Sequence, residues 1–516
     1  MNKVFVFLEK YKYIIYCILL SFVILSITSK NSFLYPINDW VDANAFFTMG
    51  KSLFNGVVPY KDIFEQKGLL LYLIYGIGYL ISNKSFIGPF FIEIIFFSIF
   101  LYYSYKSISL FLKDEYSFIM LPILSLIICI SPSFVHGGAC EELCFPFFAY
   151  SIYSMLRYFK GESLSYRCIF INGLLSGLVF MMKYTLIGFW FGFMMFIFFD
   201  MVFIRKDIKK AFLYCLWFLI GMFIPIGLSL VYFAFNGAIN DFIRCYFTIN
   251  MTSYNDEIIS LGDRLYLIFR GFISCSAGNG LGAFLLVVFL PLFVLKLKIS
   301  KFGKVSIILT SLISLILVYW GIRFYYYYYL PLFMFMIISM IGIGLFFDKY
   351  MVNFFKSKIK YVVCLLIFIM TIVWSYFGAN YKEMIGMDKE DVFLFKYAEY
   401  INKYENPTLL NMGYLDAGLY TTTGIVPNTY FFEVQNLPYS KFPDNLDLMK
   451  ENILNTDIDF VLIYTPFGFK ENFIEKKYGY IYDNYELVYD DKYMFEHVEF
   501  TAYLFKLKGL ENKSSI

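Results

Sequence analysis

The chain has 516 residues, of which 59% are hydrophobic and only 16% are charged, and its mean hydropathy is +0.63. Soluble globular domains do not reach this composition, which is typical of a protein with many membrane-spanning segments. The formal net charge of +3 is too small to indicate a nucleic-acid partner. Two histidines and nine scattered cysteines leave little material for a His/Cys metal site.

The first apolar segment, Ile14–Thr28, follows three lysines and lacks a small-residue cleavage site, so we interpret it as a retained signal anchor. The next stretch, Asp42–Gly68, opens with an acid and predicts an amphipathic helix that ends at Asn55-Gly56. It closes with Lys67, immediately before another apolar run. An acid and a base held together at a membrane surface indicate chemistry there rather than simple anchoring.

Clusters of Lys and Arg recur along the chain, and the positive-inside rule places all of them in the cytoplasm. An even number of crossings must then separate each pair of clusters, which requires that the segment 68–82 does not span. That segment has about 15 residues and contains two glycines, so we predict a re-entrant or interfacial helix there. The eleven predicted spans are 13–29, 86–112, 116–132, 142–160, 168–182, 184–204, 211–235, 279–297, 304–320, 324–347 and 359–377.

This topology leaves the N-terminus in the cytoplasm and divides the chain into a membrane module (1–378) and an external domain (379–516). The first outer loop, 30–85, carries the amphipathic and re-entrant helices. In the tail, predicted helices alternate with predicted strands, which favours a small α/β domain. The helices are Asp388–Tyr404 and Leu446–Asn455, and the strands are Thr408–Gly413, Asp459–Thr465, 485–490 and 501–507. The tail lacks a Gly-rich phosphate loop, so we predict no nucleotide site.

Acids on the predicted outer face are candidates for proton transfer. Asp42 begins a helix, whose N-terminal end stabilises an ionised carboxylate, and such a carboxylate can accept a proton from a hydroxyl. Simple helix capping by Asp42 or Asp39 is the alternative. Glu141 and Glu142 form the second acidic element on this face, and adjacent glutamates at a helix start also serve as dipole partners.

Three cations lie at outer ends of predicted spans, against the inward bias of the rest of the chain: Lys67, Lys183 and Arg323. Snorkelling explains any one of them. Three on one face are better explained by an anionic lipid head group, with phosphate or diphosphate as the best fit. A phosphate leaving group needs such charge, because negative charge builds on it as its bond breaks.

Two further ionisable residues carry weaker signals. Glu93 lies within a predicted span, where an acid either pairs internally or faces a polar cavity. His136, in the outer loop 132–141, could assist chemistry, although a single loop histidine is more often a bystander.

The first outer loop matches the pattern D-x(13)-G-x-x-P-Y-x-D-x-F-E-x-K-G from Asp42 to Gly68. One span, this loop, a second acidic loop and a helical bundle with an external α/β tail follow in order. This order resembles the GT-C superfamily, especially bacterial members of the protein mannosyltransferase and aminoarabinose transferase type, over roughly residues 10–350. The resemblance implies a polytopic α-helical membrane protein of about eleven transmembrane helices with a C-terminal external α/β domain.

The resemblance also implies roles for individual residues. Asp42 falls on the catalytic base, Glu141 or Glu142 on the second outer acid, and Lys67 and Lys183 on lysines of the family. Arg323 and the tyrosines after it match an Arg-aromatic segment. The residues that we expect to be accessory are Asp39, Asp62, Glu65, His136 and Tyr325. The chain departs from the family at Ala43, where an acid often follows the base, and within 325–329, where a histidine is often found; both departures bear on metal dependence and on the donor.

The implied activity is that of an inverting glycosyltransferase on the outer face of the bacterial cytoplasmic membrane. It would move a sugar from a polyprenyl-phosphate donor to an acceptor hydroxyl on a glycan, a lipid or a protein. We expect membrane lipids as neighbours, no nucleic acid and no cofactor, with room left for a divalent cation. The alternatives are a transporter or flippase, a ligase or polymerase for lipid-linked saccharides, and a non-enzymatic protein whose tail binds a partner. A transporter predicts charges at the bilayer midplane and an internal repeat, and the sequence shows few such charges and no obvious repeat.

Overall fold

A computed structural model describes residues 2–252, 260–466, 473–496 and 498–511. Helices dominate these residues. In chain order they are α1 (Asn2–Thr28), α2 (Val41–Phe54), α3 (Leu69–Tyr79), α4 (Ile87–Ser109), α5 (Ser117–Cys129), α6 (Cys140–Leu143), α7 (Phe145–Phe159), α8 (Tyr166–Phe180), α9 (Gly188–Phe199), α10 (Ile208–Phe235), α11 (Ile239–Phe242), α12 (Asn250–Thr252), α13 (Leu261–Gly278), α14 (Gly280–Phe284), α15 (Leu290–Lys296), α16 (Lys301–Val318), α17 (Met336–Lys356), α18 (Ile359–Gly378), α19 (Phe393–Ile401), α20 (Leu419–Thr423), α21 (Pro443–Leu454), α22 (Phe473–Tyr478) and α23 (Ile481–Asn484). Segments of 3-10 helix include Tyr184–Ile187 and Tyr326–Phe335, and segments of π-helix include Asp200–Ile204 and Leu285–Phe289.

Each of the eleven predicted spans coincides with helical structure. Within the described residues, seven helical segments are long and apolar enough to cross a membrane: Glu9–Thr28, Ile87–Ser109, Tyr184–Ile204, Ile208–Phe235, Lys301–Val318, Tyr326–Asp348 and Ile359–Gly378. Protein buries little of some of these helices. Only 28% of the most apolar stretch of α10 is buried, and only 11% of that of α18. Apolar surface of this extent is stable where lipid covers it. The chain is therefore a multi-pass membrane protein, while the number of crossings and their orientation remain predictions.

The segment predicted to be re-entrant forms α3, which has 11 residues. At 1.5 Å per residue such a helix is about 16 Å long, roughly half the thickness of a bilayer core. It packs closely on α2, because a Cβ atom on Gly50 would lie 2.5 Å from the backbone nitrogen of Gly76. Both positions therefore need glycine. The path of α3 relative to a membrane remains a prediction.

The chain divides into two compact units that are interleaved along the sequence. Unit 1 comprises Met1–Ser32, Phe91–Val231 and Ile258–Lys382. Unit 2 comprises Phe33–Phe90, Tyr232–Glu257 and Glu383–Ile516. Unit 1 contains most of the long helices, whereas unit 2 combines α2 and α3 with the strands. The boundary near residue 378 that hydropathy indicates remains a prediction.

Unit 2 contains a mixed four-stranded sheet in the order β1-β2-β4-β3. The strands are β1 (Leu409–Met412), β2 (Phe460–Thr465), β3 (Tyr485–Phe495) and β4 (Val498–Leu507). The first two are parallel, with Leu409 opposite Phe460, and β4 runs antiparallel to both of its neighbours. The residues of β1 and β2 are buried throughout, which suits the continuous apolar runs of these strands. All four predicted strands and both predicted tail helices are present, so the predicted C-terminal α/β domain is confirmed.

Candidate active site

Lys183 and Glu141 form an ion pair within unit 1. Lys183 Nζ lies 2.5 Å from Glu141 Oε1, and the two side chains are 13% and 2% exposed. Glu141 lies in the first turn of α6, and Lys183 follows α8 just before a 3-10 turn. Water screens such a pair only weakly, so its charges hold each other firmly. The structure thus brings together two of the residues that the sequence singled out.

Aromatic rings also contact Lys183. Its Nζ is 3.5 Å from the centroid of the Tyr328 ring and 5.8 Å from that of Tyr327. Tyr327 in turn stacks on Tyr325, with ring centroids 5.6 Å apart. Tyr325 is 38% exposed, and Arg323, two residues earlier, is half-buried. The predicted Arg-aromatic segment therefore adjoins Lys183, and a cation beside aromatic faces can bind an anionic group that carries apolar or sugar surface.

Glu142 points away from this ion pair and faces Glu93 of α4. Its Oε2 accepts a hydrogen bond from the backbone N–H of Gly138 at 2.8 Å. Oε2 of Glu93 accepts hydrogen bonds from Ser29 Oγ at 2.8 Å and Asn31 Nδ2 at 3.1 Å. Burial and the neighbouring carboxyl group of Glu93 raise the pKa of Glu142 well above its ordinary range. Internal pairing is one of the two outcomes that the sequence indicates for Glu93.

His136 is buried against Tyr381 in the same unit. The two rings stack with centroids 4.9 Å apart, and the carbonyl of His136 accepts a hydrogen bond from the backbone N–H of Lys30 at 2.8 Å. Burial and the charge of Lys30 lower the pKa of His136 well below its usual range. A neutral, stacked ring of this kind mainly packs the loop.

Asp42 lies in unit 2, half-buried in the first turn of α2. The N-terminal end of the helix favours its ionised form. The N-cap position is Trp40, which makes no side-chain capping hydrogen bond. Asp39 is buried and accepts a hydrogen bond from the hydroxyl of Tyr493 at 2.8 Å. Asp39 therefore binds strand β3 of the same unit.

The remaining residues of the first-loop motif form a compact turn in unit 2. The backbone N–H of Lys67 donates to Glu65 Oε2 at 2.7 Å, and its Nζ lies 3.9 Å from Glu65 Oε1. The hydroxyl of Tyr72 on α3 also donates to Glu65. Asp62 is exposed and accepts a hydrogen bond from the backbone N–H of Val58 at 2.9 Å, so it closes the turn. Glu65 thus holds both the backbone and the ammonium of Lys67.

Three polar side chains on one face of α2 bind the segment 416–421 of the same unit, at a spacing of four and three residues. Thr48 Oγ1 donates to Asp416 Oδ2 at 2.8 Å, Thr421 Oγ1 donates to Asn44 Oδ1 at 2.7 Å, and Lys51 Nζ donates to the carbonyl of Tyr420 at 2.6 Å. This spacing is that of one helix face. We call these three residues of α2 the polar stripe. It fixes the helix that carries Asp42.

Buried acids lie beside the polar stripe. Burial raises the pKa of Asp416 to about 6 and lowers the pKa of Lys51 to about 7, with the charge of each opposing the shift of the other. Glu433 accepts a hydrogen bond from the N–H of Asp416. Its pKa is raised well above the ordinary range by burial and by the charges of Asp416, Glu65 and Asp42. No local sequence pattern marks Lys51, Asp416 or Glu433, so the sequence alone does not reveal them.

Among the residues that the structure describes, no group of three or more His, Cys, Asp or Glu side chains is arranged to hold a metal ion. The expectation that the reaction needs no cofactor stays a prediction.

The sequence matches no protein-family model and no curated protein. The structure, in contrast, is similar to two crystal structures of ArnT from Cupriavidus metallidurans. Against the one bound to undecaprenyl phosphate the TM-score is 0.60 at 10% sequence identity, covering 98% of this chain and 99% of that chain. Against the apo state it is 0.58 at 10% identity, covering 96% and 97%. The chain has the GT-C fold.

The GT-C resemblance that the first-loop motif indicates is thus confirmed at the level of the fold. A likeness at 10% identity establishes the fold and leaves the activity open. The roles given to individual residues of this chain therefore remain predictions. What the structure adds is their grouping. Glu141 pairs with Lys183 beside the tyrosines that follow Arg323 in unit 1, whereas Asp42, Glu65 and Lys67 belong to unit 2.

Proposed function

We propose that this GT-C protein transfers a sugar from a polyprenyl-phosphate donor to an acceptor hydroxyl. One observation carries the proposal, the similarity along nearly the whole of both chains to ArnT, whose structure is bound to undecaprenyl phosphate. A polyprenyl phosphate has a long apolar chain and an anionic head. Long apolar helices suit the chain, and an ordered cation such as Lys183 suits the head.

Lys183, Arg323 and Lys67 stabilise the phosphate of the donor in this proposal. Negative charge grows on the phosphate as its bond to the sugar breaks, and positive charge that is already in place lowers the energy of that transition state. The ion pair with Glu141 and the ring of Tyr328 hold the ammonium of Lys183 in place before the donor arrives. The ammonium need not be ordered during the reaction, because its partners have already ordered it.

Asp42 acts as the general base. It takes the proton of the acceptor hydroxyl, whose oxygen then forms a bond to the anomeric carbon of the sugar. The bond from that carbon to the phosphate oxygen breaks, and its electron pair leaves with the polyprenyl phosphate. A single displacement of this kind inverts the anomeric configuration. We place the reaction on the outer face of the bacterial cytoplasmic membrane, with a glycan, lipid or protein as the acceptor and no resident cofactor.

The test compares the wild type with Asp42→Asn, purified and supplied with polyprenyl-phosphate hexoses, by the release of polyprenyl phosphate. Loss of the base is expected to slow release by about 10²-fold or more, with unchanged thermal stability. Asp391→Asn, an exposed acid of the same unit, is the matched control and should release at the wild-type rate. Equal release by Asp42→Asn and wild type would move the base to Glu141 or Glu142. No release by the wild type with any donor would contradict the transferase and make a transporter the next function to test.

A further inference from the structure

We propose that Glu93 is a positioning residue that shares one proton with Glu142 and thereby fixes the turn 137–143, which presents Glu141 to Lys183. The consequence for phosphate binding rests on the proposed function. The sharing of the proton does not, because it follows from the hydrogen bonds of unit 1 alone.

The two oxygens of each carboxyl group differ in their hydrogen-bond donors. One oxygen of each group, Oε2, has donors: Gly138 for Glu142, and Ser29 and Asn31 for Glu93. The other oxygen of each, Oε1, is buried, and within the described residues no donor reaches it. A proton between the two groups supplies the missing donor for both. Two ionised carboxylates would instead leave two like charges buried side by side, which is strongly unfavourable.

The turn 137–143 packs against the carboxyl groups of Glu93 and Glu142. Gly137 and Gly138 have φ values of +82° and +76°, the left-handed conformation that glycine adopts without strain. A Cβ atom on Gly137 would lie 2.1 Å from Ser29 Oγ and 3.0 Å from Glu93 Oε1, so the turn packs directly on Glu93 and on its donor. Glu142 also reaches back to the N–H of Gly138, as acids do in the first turn of a helix. The turn is therefore held at both ends by the carboxyl pair.

The short helix α6 connects this turn to Lys183. Glu141 and Glu142 are neighbours in the four-residue helix α6, and one binds Lys183 while the other binds Glu93. So short a helix has little stability of its own. Separation of the carboxyl pair is therefore expected to move Glu141 as well and to release the ammonium of Lys183.

The pair also makes the position of Lys183 sensitive to pH. The ionisable groups around the pair are Cys129 of α5, whose charge would act on both carboxyls, Lys30 and His136 on the segments that supply the donors, and Glu141 itself. The Nζ atom of Lys30 lies 3.8 Å from the centroid of the Tyr381 ring. The folded chain retains a proton that the unfolded chain has released, so this contribution to stability is complete below about pH 4.5. It is lost as pH rises through the elevated pKa of Glu142.

The experiment compares the wild type with Glu93→Gln, whose amide can donate to Glu142 but cannot lose a proton, and with Glu93→Leu, which offers no donor. Glu115→Gln is the matched control. Glu115 is an acid of the same unit, and its Oε1 lies 3.4 Å from Lys360 Nζ. Thermal unfolding is recorded between pH 6 and pH 9. The rate at which an amine-reactive reagent labels Lys183 is followed by mass spectrometry.

The Tm of the wild type and of Glu115→Gln is expected to fall with pH by several degrees more than that of Glu93→Gln. At pH 9, Lys183 should be labelled several-fold faster in the wild type than in Glu93→Gln. In Glu93→Leu, Lys183 should be labelled faster than in Glu93→Gln at every pH. Parallel Tm curves for the wild type and Glu93→Gln, or equal labelling of Lys183 in the two, would overturn the proposal. If Glu93→Leu does not fold, Glu93→Gln still decides.

Binding of undecaprenyl phosphate by the same proteins separates this inference from the proposed function. The affinity of the wild type is expected to fall several-fold from pH 6 to pH 9, while that of Glu93→Gln stays constant. Binding with one common pH profile in both would overturn the positioning role and leave the transferase intact. Absence of binding in every variant would count against the proposed function, while unfolding and labelling would still judge the shared proton.

Discussion

Unit 1 and unit 2 each bury ionisable groups, but they do so with different partners. In unit 1, Glu141 contacts the opposite charge of Lys183, whereas Glu142 contacts another carboxyl group. In unit 2, Lys51 donates to a backbone carbonyl, and Asp416 accepts hydrogen bonds from Thr48 and from the N–H of Gly418. Glu141 and Glu142 of unit 1 are thus balanced by an opposite charge and by a shared proton, whereas Lys51 and Asp416 of unit 2 are held mainly by neutral dipoles.

The difference has a measurable consequence, because the carboxyl pair of unit 1 and Lys51 of unit 2 respond to pH with opposite signs. The folded chain retains the proton of the Glu93–Glu142 pair, so rising pH destabilises this part of unit 1. The folded chain instead releases a proton from Lys51 at a lower pH than the unfolded chain does, so the contribution of Lys51 to stability rises with pH. The contributions of Asp416 and Glu433, whose pKa values are raised, fall with pH. The comparison also shows a common arrangement, in which fully buried groups hold the more accessible Asp42 and Lys183.

Breaking the ion pair of unit 1 is expected to have the largest effect. Lys183→Met leaves Glu141 buried without its counter-charge, which costs about 3–5 kcal/mol of unfolding free energy. The double variant Lys183→Met/Glu141→Leu removes both charges and should recover most of this loss, since a buried pair can be replaced by apolar groups. Both variants should lose binding of polyprenyl phosphate. Unfolding of the four members of this cycle provides the measurement, and a double variant no more stable than Lys183→Met would contradict the assignment of a buried pair.

Lys51→Met tests unit 2 in the same way. The substitution keeps the length of the side chain but removes one of the two donors to the carbonyl of Tyr420, and the backbone N–H of Gly424 remains; the cost is about 1–2 kcal/mol. It also removes the titration of Lys51. Between about pH 7 and pH 10 the unfolded chain holds a proton that the folded chain has lost, so the wild type gains stability relative to Lys51→Met by up to about 1.4 kcal/mol per pH unit. Unfolding of the two proteins at pH 7, 8 and 9 measures this gain, and a constant difference would show that Lys51 is not desolvated.

The sequence predicted the helices and the tail strands because those elements follow from local patterns. Apolar runs of membrane length fix the long helices, and Asn55-Gly56 ends α2, where Gly56 has a φ of +85°. The same local reasoning does not describe the polar face of α2. The pattern of an amphipathic helix predicts a solvated polar face, but Lys51 and its neighbours in the polar stripe are fully buried.

Contacts between distant residues explain what the sequence did not reveal. The segment 416–421 buries the polar stripe, although it lies more than 360 residues later in the chain. The hydrogen bond from Lys51 to the carbonyl of Tyr420 is one of the contacts between them. That segment has no periodicity that would place it against a helix. Glu93 and Glu142 are likewise far apart in the chain, and each alone is compatible with several surroundings. The residue types were visible, but their partners depend on the tertiary fold.

Thr421→Val should have the smallest effect, and it tests whether the polar stripe serves Asp42. Valine keeps the shape of threonine but removes the hydroxyl that donates to Asn44, which costs about 1 kcal/mol. If the stripe aligns α2, the misplaced base slows proton transfer, so kcat falls several-fold while KM for the donor stays constant. Thr501→Val, in β4, is the control for the loss of a threonine hydroxyl in the same unit. An unchanged kcat in Thr421→Val at the same loss of stability would show that the stripe holds the fold without positioning Asp42.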